Sequence, residues 1–253
     1  MDWWDIALLM GAGLVAGAIN AVAGGGSFIS FPALVAAGYP ARQANMTNAL
    51  ALVPGMTVTS LGMRTELAGQ RRRLTALLLP SVPGAIIGTV TLLSTPDAAF
   101  DAIVPFLILI GCTLTWFQDR LVGLAAARNL ASRDDGDVPP ALHISAFLLA
   151  AYGAYFGAGF GIIVLPLLVA FLGEDLLRAN AMRVVLSLFG NSIAVVTFAI
   201  FGSIAWTAAG VLALALASGG YFGAGIARRL GRRWLRYAVM GYGTASAIVL
   251  LAT

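Results

Sequence analysis

The stretch from Gly24 to Pro32, continued by Asn45-Met46-Thr47-Asn48, is apolar enough to lie within a membrane, yet Gly24-Gly25-Gly26 and Pro32 break any helix drawn through it. Inside a helix, glycine costs about 1 kcal/mol relative to alanine and proline about 3. Backbone broken at membrane depth leaves peptide groups unpaired, and it survives only where protein or a water-filled cavity covers them. A weaker copy follows at Gly157-Ala158-Gly159-Phe160-Gly161 with Pro166. The rest of the chain is expected to pack around these two breaks.

The packing is expected to be that of a membrane protein. Of the 253 residues 60% are hydrophobic, and the mean hydropathy is +0.91; soluble domains are about half apolar. Apolar runs fall at about 6–23, 27–38, 43–63, 74–94 and 98–118, and again at about 142–157, 162–172, 179–202, 206–227 and 234–252. Several are long enough to cross about 30 Å of hydrocarbon. The predicted fold is an all-α polytopic membrane protein. Asp2 and Asp5 precede the first run with no basic residue, which does not read as a secretory leader. The net charge of +4 comes from arginines in loops, with no lysine, so the basic balance reads as membrane topology and not as nucleic-acid binding. Cys112 is the only cysteine, which excludes a disulfide framework and a Cys/His metal site. No Gly-Lys-Ser/Thr follows the glycines, so a nucleotide-phosphate loop is excluded, and no cofactor is expected.

Residues 119–140, with Asp134-Asp135-Gly136-Asp137 and Pro139-Pro140, cannot form a packed core. They read as a cytoplasmic linker between a first transmembrane repeat, 1–118, and a second, 141–253. The halves overlay on Pro32 and Pro166, Asn45 and Asn180, Gly55 and Gly190, and Gly84-xxx-Gly88 and Gly219-xxx-Gly223. Arg64, Arg71-Arg72-Arg73 and the arginines between Arg228 and Arg236 mark cytoplasmic loops, whereas 95–97 and 202–205 lack basic residues and belong outside. Crossing parity then makes each half a broken or re-entrant helical hairpin plus three transmembrane helices, with the second copy inverted. Both termini are expected outside. Inverted repeats with broken helices meeting near the midplane are the mark of secondary transporters.

Candidate site residues cluster at the breaks. Ser27 is placed to cap a half-helix whose free N–H groups would suit an anion, with Gly25 and Gly26 before it and Gly159 and Gly161 in the second copy. Asn45 and Asn48 share a helix face with Thr47 beside them, and Asn180 and Arg183 repeat that spacing. Asn191 lies further into the same span. Amide, hydroxyl and guanidinium donors suit an oxyanion. Each feature has a plainer reading. Small residues let membrane helices approach, which is the preferred account of Gly13-xxx-Gly17, Gly84-xxx-Gly88 and Gly219-xxx-Gly223. Arg183 could snorkel to the cytoplasmic surface beside Arg178, and Asn191 could be interhelical glue. Every acidic residue lies in a loop or at the edge of a run, and His143 stands alone, so no carboxylate is available to relay protons or to line a cation path.

Gly-Gly-Gly-Ser-Phe-x-x-x-Pro-x-Leu at 24–34, Ala-Asn-x-Thr-Asn at 44–48 and Ala-Asn-Ala-x-Arg at 179–183 resemble the TauE/SafE sulfite exporter family over nearly the whole chain. Phe160 interrupts the second glycine set, and Thr47-Asn48 and Met182-Arg183 stand where other members have Thr-Ser. The resemblance implies a multi-pass permease of the bacterial inner membrane moving sulfite, sulfonate or related organosulfur anions, with export the better supported direction. The residues alone reach only a transporter, of an anion by preference. The alternatives are a permease for another small organic anion or a cation, and a non-transport membrane scaffold. An enzyme is not expected, because no intramembrane catalytic set is present. The expected partners are a small anionic substrate and the lipid bilayer, without nucleic acid; homo-oligomerisation is left open.

Overall fold

The computed structural model describes residues 1–22, 24–128, 138–230, 237 and 240–248. Among them the protein is all-helical, without a strand. The helices are α1 (Trp3–Val22), α2 (Ser27–Ala36), α3 (Ala41–Gly62), α4 (Arg71–Ser94) and α5 (Asp97–Arg128), then α6 (Pro140–Tyr155), α7 (Phe160–Leu172), α8 (Leu176–Phe201) and α9 (Trp206–Leu230). Residues 240–248 are helical as well. The helix order follows the apolar runs, with one difference. α5 continues to Arg128, so the first ten residues assigned to the linker are helical; 129–137 lie outside the described residues, as do 234–236, 238–239 and 249–252 of the last run.

Among the described residues four helices, α1, α4, α5 and α8, are long and apolar enough to cross a membrane. The 22-residue α3 falls short of that hydropathy because Arg42, Gln43, Asn45, Thr47 and Asn48 crowd its first turns. Polar residues in a helix of spanning length must be covered by neighbours, and Asn45, Thr47 and Asn48 are all buried. The outward faces of the long helices show Leu79, Ile86, Ile87, Val90, Phe106 and Ile110, a surface that only lipid solvates cheaply.

The most extensive helix pairings are α1 with α9 and α4 with α6. Glycine makes both possible. A Cβ on Gly84 would strike the Phe147 carbonyl and one on Gly88 the Ala151 carbonyl, while one on Gly17 would strike the Leu216 carbonyl and one on Gly219 the Leu14 carbonyl. The small-residue pairs are therefore packing surfaces. The fourth helix of each half lies on the first helix of the other, and the contact residues correspond: Gly84 and Gly219 are 135 positions apart, and their targets Phe147 and Leu14 are 133 apart.

The contacts sort the turns into two ends. At one end, the Tyr39 hydroxyl reaches the Met1 sulfur (3.7 Å), Arg42 pairs with Asp97 and donates to the Leu93 and Thr95 carbonyls, and the Ala205 N–H donates to Thr47 Oγ1 (3.1 Å). Trp3, Trp4 and Trp206 are exposed at this end, where interfacial tryptophans belong. At the other end, Glu174 binds Arg73 (2.6 Å) and Arg178 (3.0 Å), and Arg178 donates to the Ala68 carbonyl (3.2 Å). Leu77, Leu142 and Leu172 share one buried cluster there. The α3 helix joins the two ends, and its 22 residues rise about 33 Å at 1.5 Å each, the thickness of a bilayer core. The α1–α2 hairpin thus begins and finishes at the first end, and α6–α7 at the second.

Candidate functional site

Each hairpin turns inside the bundle on glycines in the left-handed region, Gly24 (φ +79°) in the first, Gly157 (+76°) and Gly159 (+82°) in the second. Only glycine adopts these angles cheaply. The first turn departs from expectation at Ser27. Gly26 occupies the cap position with φ −59° and ψ −31° and gives no side-chain cap, and α2 begins at Ser27 itself. Ser27 is already helical, so its hydroxyl is not aimed at the first-turn N–H groups; it lines the cavity described below. A Cβ on Gly26 would strike the Ala16 carbonyl and sit 2.9 Å from Asn20 Cβ, so this glycine closes α1 onto α2. In the second turn Gly159 caps α7, and the Tyr152 hydroxyl donates to the Ala158 carbonyl (2.6 Å). The N–H groups of Phe160, Ile162 and Ile163 are taken by the Gly157 and Gly159 carbonyls, and that of Gly161 has no backbone partner, as the first turn of a helix requires.

The two turns meet around one side chain. A Cβ on Gly24 or on Gly161 would land on Nη1 of Arg183, and a Cβ on Gly161 would also lie 3.3 Å from the Gly24 carbonyl. Arg183 is 3% exposed, so it does not snorkel to the surface. Its Nε donates to Asn180 Oδ1 (2.9 Å), which aims the guanidinium at the turns. Nη2 is buried with no hydrogen-bond partner, and Arg183 forms no ion pair with any described residue. Arg178, by contrast, is held at the bundle end by Glu174 and Ala68.

A cavity of about 670 Å³, counted with the open space at its mouth, lies against this guanidinium. It brings together Ser27, Asn45, Asn48, Gly161, Arg183 and Asn191 of the expected site residues. Asn48 accepts from the Ser30 hydroxyl at 2.6 Å, which fixes its amide; its NH2 has no hydrogen-bond partner among the described residues. Asn45 donates to the Tyr155 carbonyl (2.9 Å) at the end of α6, tying α3 to the second hairpin. Asn191 Nδ2 donates back to the Ser187 carbonyl (2.9 Å). Five expected residues do not line the cavity. Thr47 is fully buried, donating to the Gln43 carbonyl (2.7 Å) and accepting from Ala205. Asn180 orients Arg183, and its own amide faces the Met63 sulfur (3.8 Å). Gly25 and Gly26 are buried in the first turn, and Gly159 packs against the Phe28 ring, whose Cζ would lie 3.1 Å from an added Cβ.

Asn20, Gly24, Gly157 and Ser187 also line the cavity. Asn20 is a lone amide in the first apolar run, a signal on which sequence reasoning could have acted. Ser187 completes the row Asn180, Arg183, Ser187, Asn191, spaced three and four residues apart on one face of α8. The remaining lining is apolar, including Leu52, Met56, Phe156, Phe160, Leu186 and Phe198. Along α8 the cavity runs from Arg183 to Phe198, toward the end carrying Ala205, whereas Thr59 and Met63, the first-half counterparts of Ala194 and Phe198, do not line it. The described residues contain no cluster that could hold a metal ion. Chemically the cavity offers a cation with no ion pair among the described residues, neutral donors and apolar walls.

The family model described as "Sulfite exporter TauE/SafE" matches residues 9–250. A probable membrane transporter protein of Haemophilus influenzae is 30% identical over 235 residues, covering 93% of this chain and 90% of the relative. The probable membrane transporter protein ORF9 of a Sinorhizobium species is 27% identical over 255 residues, covering 98% and 92%. No solved structure matches the chain. With an exporter family model over nearly its whole length and relatives named as probable membrane transporters, this chain, a multi-pass membrane transporter and not an enzyme, belongs to the TauE/SafE sulfite exporter family.

Proposed function

We propose that the protein exports small sulfur-containing anions (sulfite, sulfonates or related organosulfur acids) from the cytoplasm across the bacterial inner membrane. The observation that carries this is Arg183, buried against the cavity, with an unpartnered Nη2 and no acidic residue among the described ones to neutralise it. Leaving one charge buried without its partner costs about 3–5 kcal/mol, and an anion in the cavity removes that cost. A guanidinium fork matches the paired oxygens of a sulfonate or sulfite. The amide of Asn48 and the N–H of Gly161 add neutral donors beside it.

The two hairpins start from different ends of the bundle and their glycine turns meet at Arg183, which supports reading the halves as inverted repeats. With the arginine-rich loops inside, the cavity extends toward the periplasm. Release to that side is downhill for an anion, since the membrane potential contributes about 2.3 kcal/mol per charge per 100 mV. Loading from the cytoplasm then requires the Arg73–Glu174–Arg178 contacts to part.

The test is a thermal-shift screen of purified protein against sulfite, thiosulfate, sulfonates, sulfoacetate and carboxylates, followed by efflux of the best binder from loaded proteoliposomes. A stabilising sulfur anion that leaves faster than from protein-free vesicles is expected. Stabilisation by cations alone, or by carboxylates in preference to every sulfur anion, overturns the reading.

A further inference from the structure

We propose that the cavity selects monoanions over dianions, and that Asn48, the first-half counterpart of Arg183, is the position that sets this charge rule. The inference rests on the anion-transport reading above and deepens it. Among the described residues that line the cavity, Arg183 is the only charged one. It has no ion pair with a described residue and keeps a buried Nη2 without a partner. The formal charge of the occupied site is therefore zero with a monoanion and −1 with a dianion. An uncompensated charge among largely apolar walls is expensive. Neutral donors such as the Asn48 amide lower the cost of binding either anion, but they supply no charge.

The repeat shows where a second charge would sit. Asn45 and Asn180 correspond at a separation of 135 residues, and the same separation carries Asn48 onto Arg183. Both side chains reach the one cavity, from α3 and from α8. They differ in what holds them: Asn48 accepts from Ser30 of its own half, while Arg183 is aimed by Asn180 into the gap left by Gly24 and Gly161. Two equivalent positions thus carry one cation between them. For sulfur oxyanions this favours organic sulfonates and bisulfite over sulfite dianion, sulfate and thiosulfate.

Purified wild-type protein is titrated with methanesulfonate and ethanesulfonate as monoanions, and with sulfate and ethane-1,2-disulfonate as dianions, by calorimetry at one ionic strength. The monoanions are expected to bind at least about tenfold tighter, a difference of about 1.4 kcal/mol. Apparent affinity for total sulfite should fall as rising pH converts bisulfite to sulfite, while that for methanesulfonate stays flat across the same range. Asn48→Arg should raise sulfate affinity relative to methanesulfonate by about tenfold or more, and Asn48→Gln should leave that ratio as in wild type. Dianions binding as well as monoanions in wild type, or sulfite affinity independent of pH, overturns the charge rule. An unchanged ratio in Asn48→Arg removes Asn48 from it. If that variant does not purify as a monodisperse species, the wild-type panel and pH series still decide the rule. Failure of the parent reading is distinct: no anion binds, or Arg183→Gln binds all of them as wild type does.

Discussion

The guanidinium of Arg183 occupies space that two glycines, one in each half, leave open for it. That arrangement separates three contributions that substitutions can test. Arg183→Gln keeps polarity and loses charge, and anion affinity should fall about ten- to a hundredfold, the value of one or two charge-assisted hydrogen bonds. Arg183→Lys should recover only part, since an ammonium cannot form the planar fork or keep the bond that Nε makes to Asn180. Gly161→Ala is the sharper probe. Its Cβ would land on Nη1, and Gly161, unlike Gly24, has no positive φ to strain an alanine. Its affinity loss should disappear in an Arg183→Gln background, a coupling read by a double-mutant cycle. Additive losses in that cycle would mean that Gly161 acts on the fold and not through Arg183. The asparagines illustrate what spacing alone conveys. The i, i+3 pattern put Asn45 with Asn48 and Asn180 with Arg183, but it could not tell that Asn180 spends its oxygen on Arg183 or that Thr47 faces the 202–205 turn.

Helix contacts obey a simpler rule, that of close approach between backbones. Gly88 rests on the Ala151 carbonyl and Gly17 on the Leu216 carbonyl, with no room for a methyl, whereas Gly11 on the outer face of α1 has no atom within 4 Å. Gly88→Ala and Gly17→Ala should each destabilise by about 1–3 kcal/mol, as overpacking does. Gly11→Ala should be neutral or slightly stabilising through helix propensity. Thermal unfolding in detergent measures all three, and equal melting temperatures would deny these pairings their role in stability. The same comparison weighs the two halves, because α4–α6 and α1–α9 are built alike. At this scale the sequence was highly legible. Apolar runs punctuated by glycine, proline and arginine placed the helices, since in a membrane backbone pairing must be local and run length is dictated by bilayer thickness. The extension of α5 to Arg128 was not legible, because Asp119 and Arg120 end the apolar signal without ending the helix.

Taken whole, the molecule has one end marked by Met1, Tyr39, Asp97 and exposed tryptophans and another marked by Arg73, Glu174 and Arg178. If the arginine-rich end is cytoplasmic, single cysteines introduced by Trp3→Cys and Pro96→Cys into a Cys112→Ala background should react with a membrane-impermeant thiol reagent in intact cells. Thr65→Cys should react only after permeabilisation. Protection at both 3 and 96 with labelling at 65 would reverse the orientation. The ion pairs of Glu174 tie the α7–α8 turn to α4 beneath the closed side of the cavity. Glu174→Gln should make an alkylating reagent reach a cysteine introduced by Thr59→Cys faster than in the Thr59→Cys parent. An unchanged rate would exclude this contact from gating.

By itself the sequence determined that the chain is helical and membrane-embedded, the order of its helices, that two of its hairpins are broken, and that it matches in kind the TauE/SafE family. Those properties depend on local composition, on the 3.6-residue period and on the intolerance of hydrocarbon for unpaired peptide groups. The tertiary structure alone decided that Arg183 is enclosed and not at the surface, that Gly24 and Gly161 from different halves make its berth, and that Asn20 and Ser187 face the same cavity. A side chain's partner across 160 residues of chain, as between Gly24 and Arg183, is set by how the two hairpin turns meet, and no period along the chain encodes that meeting.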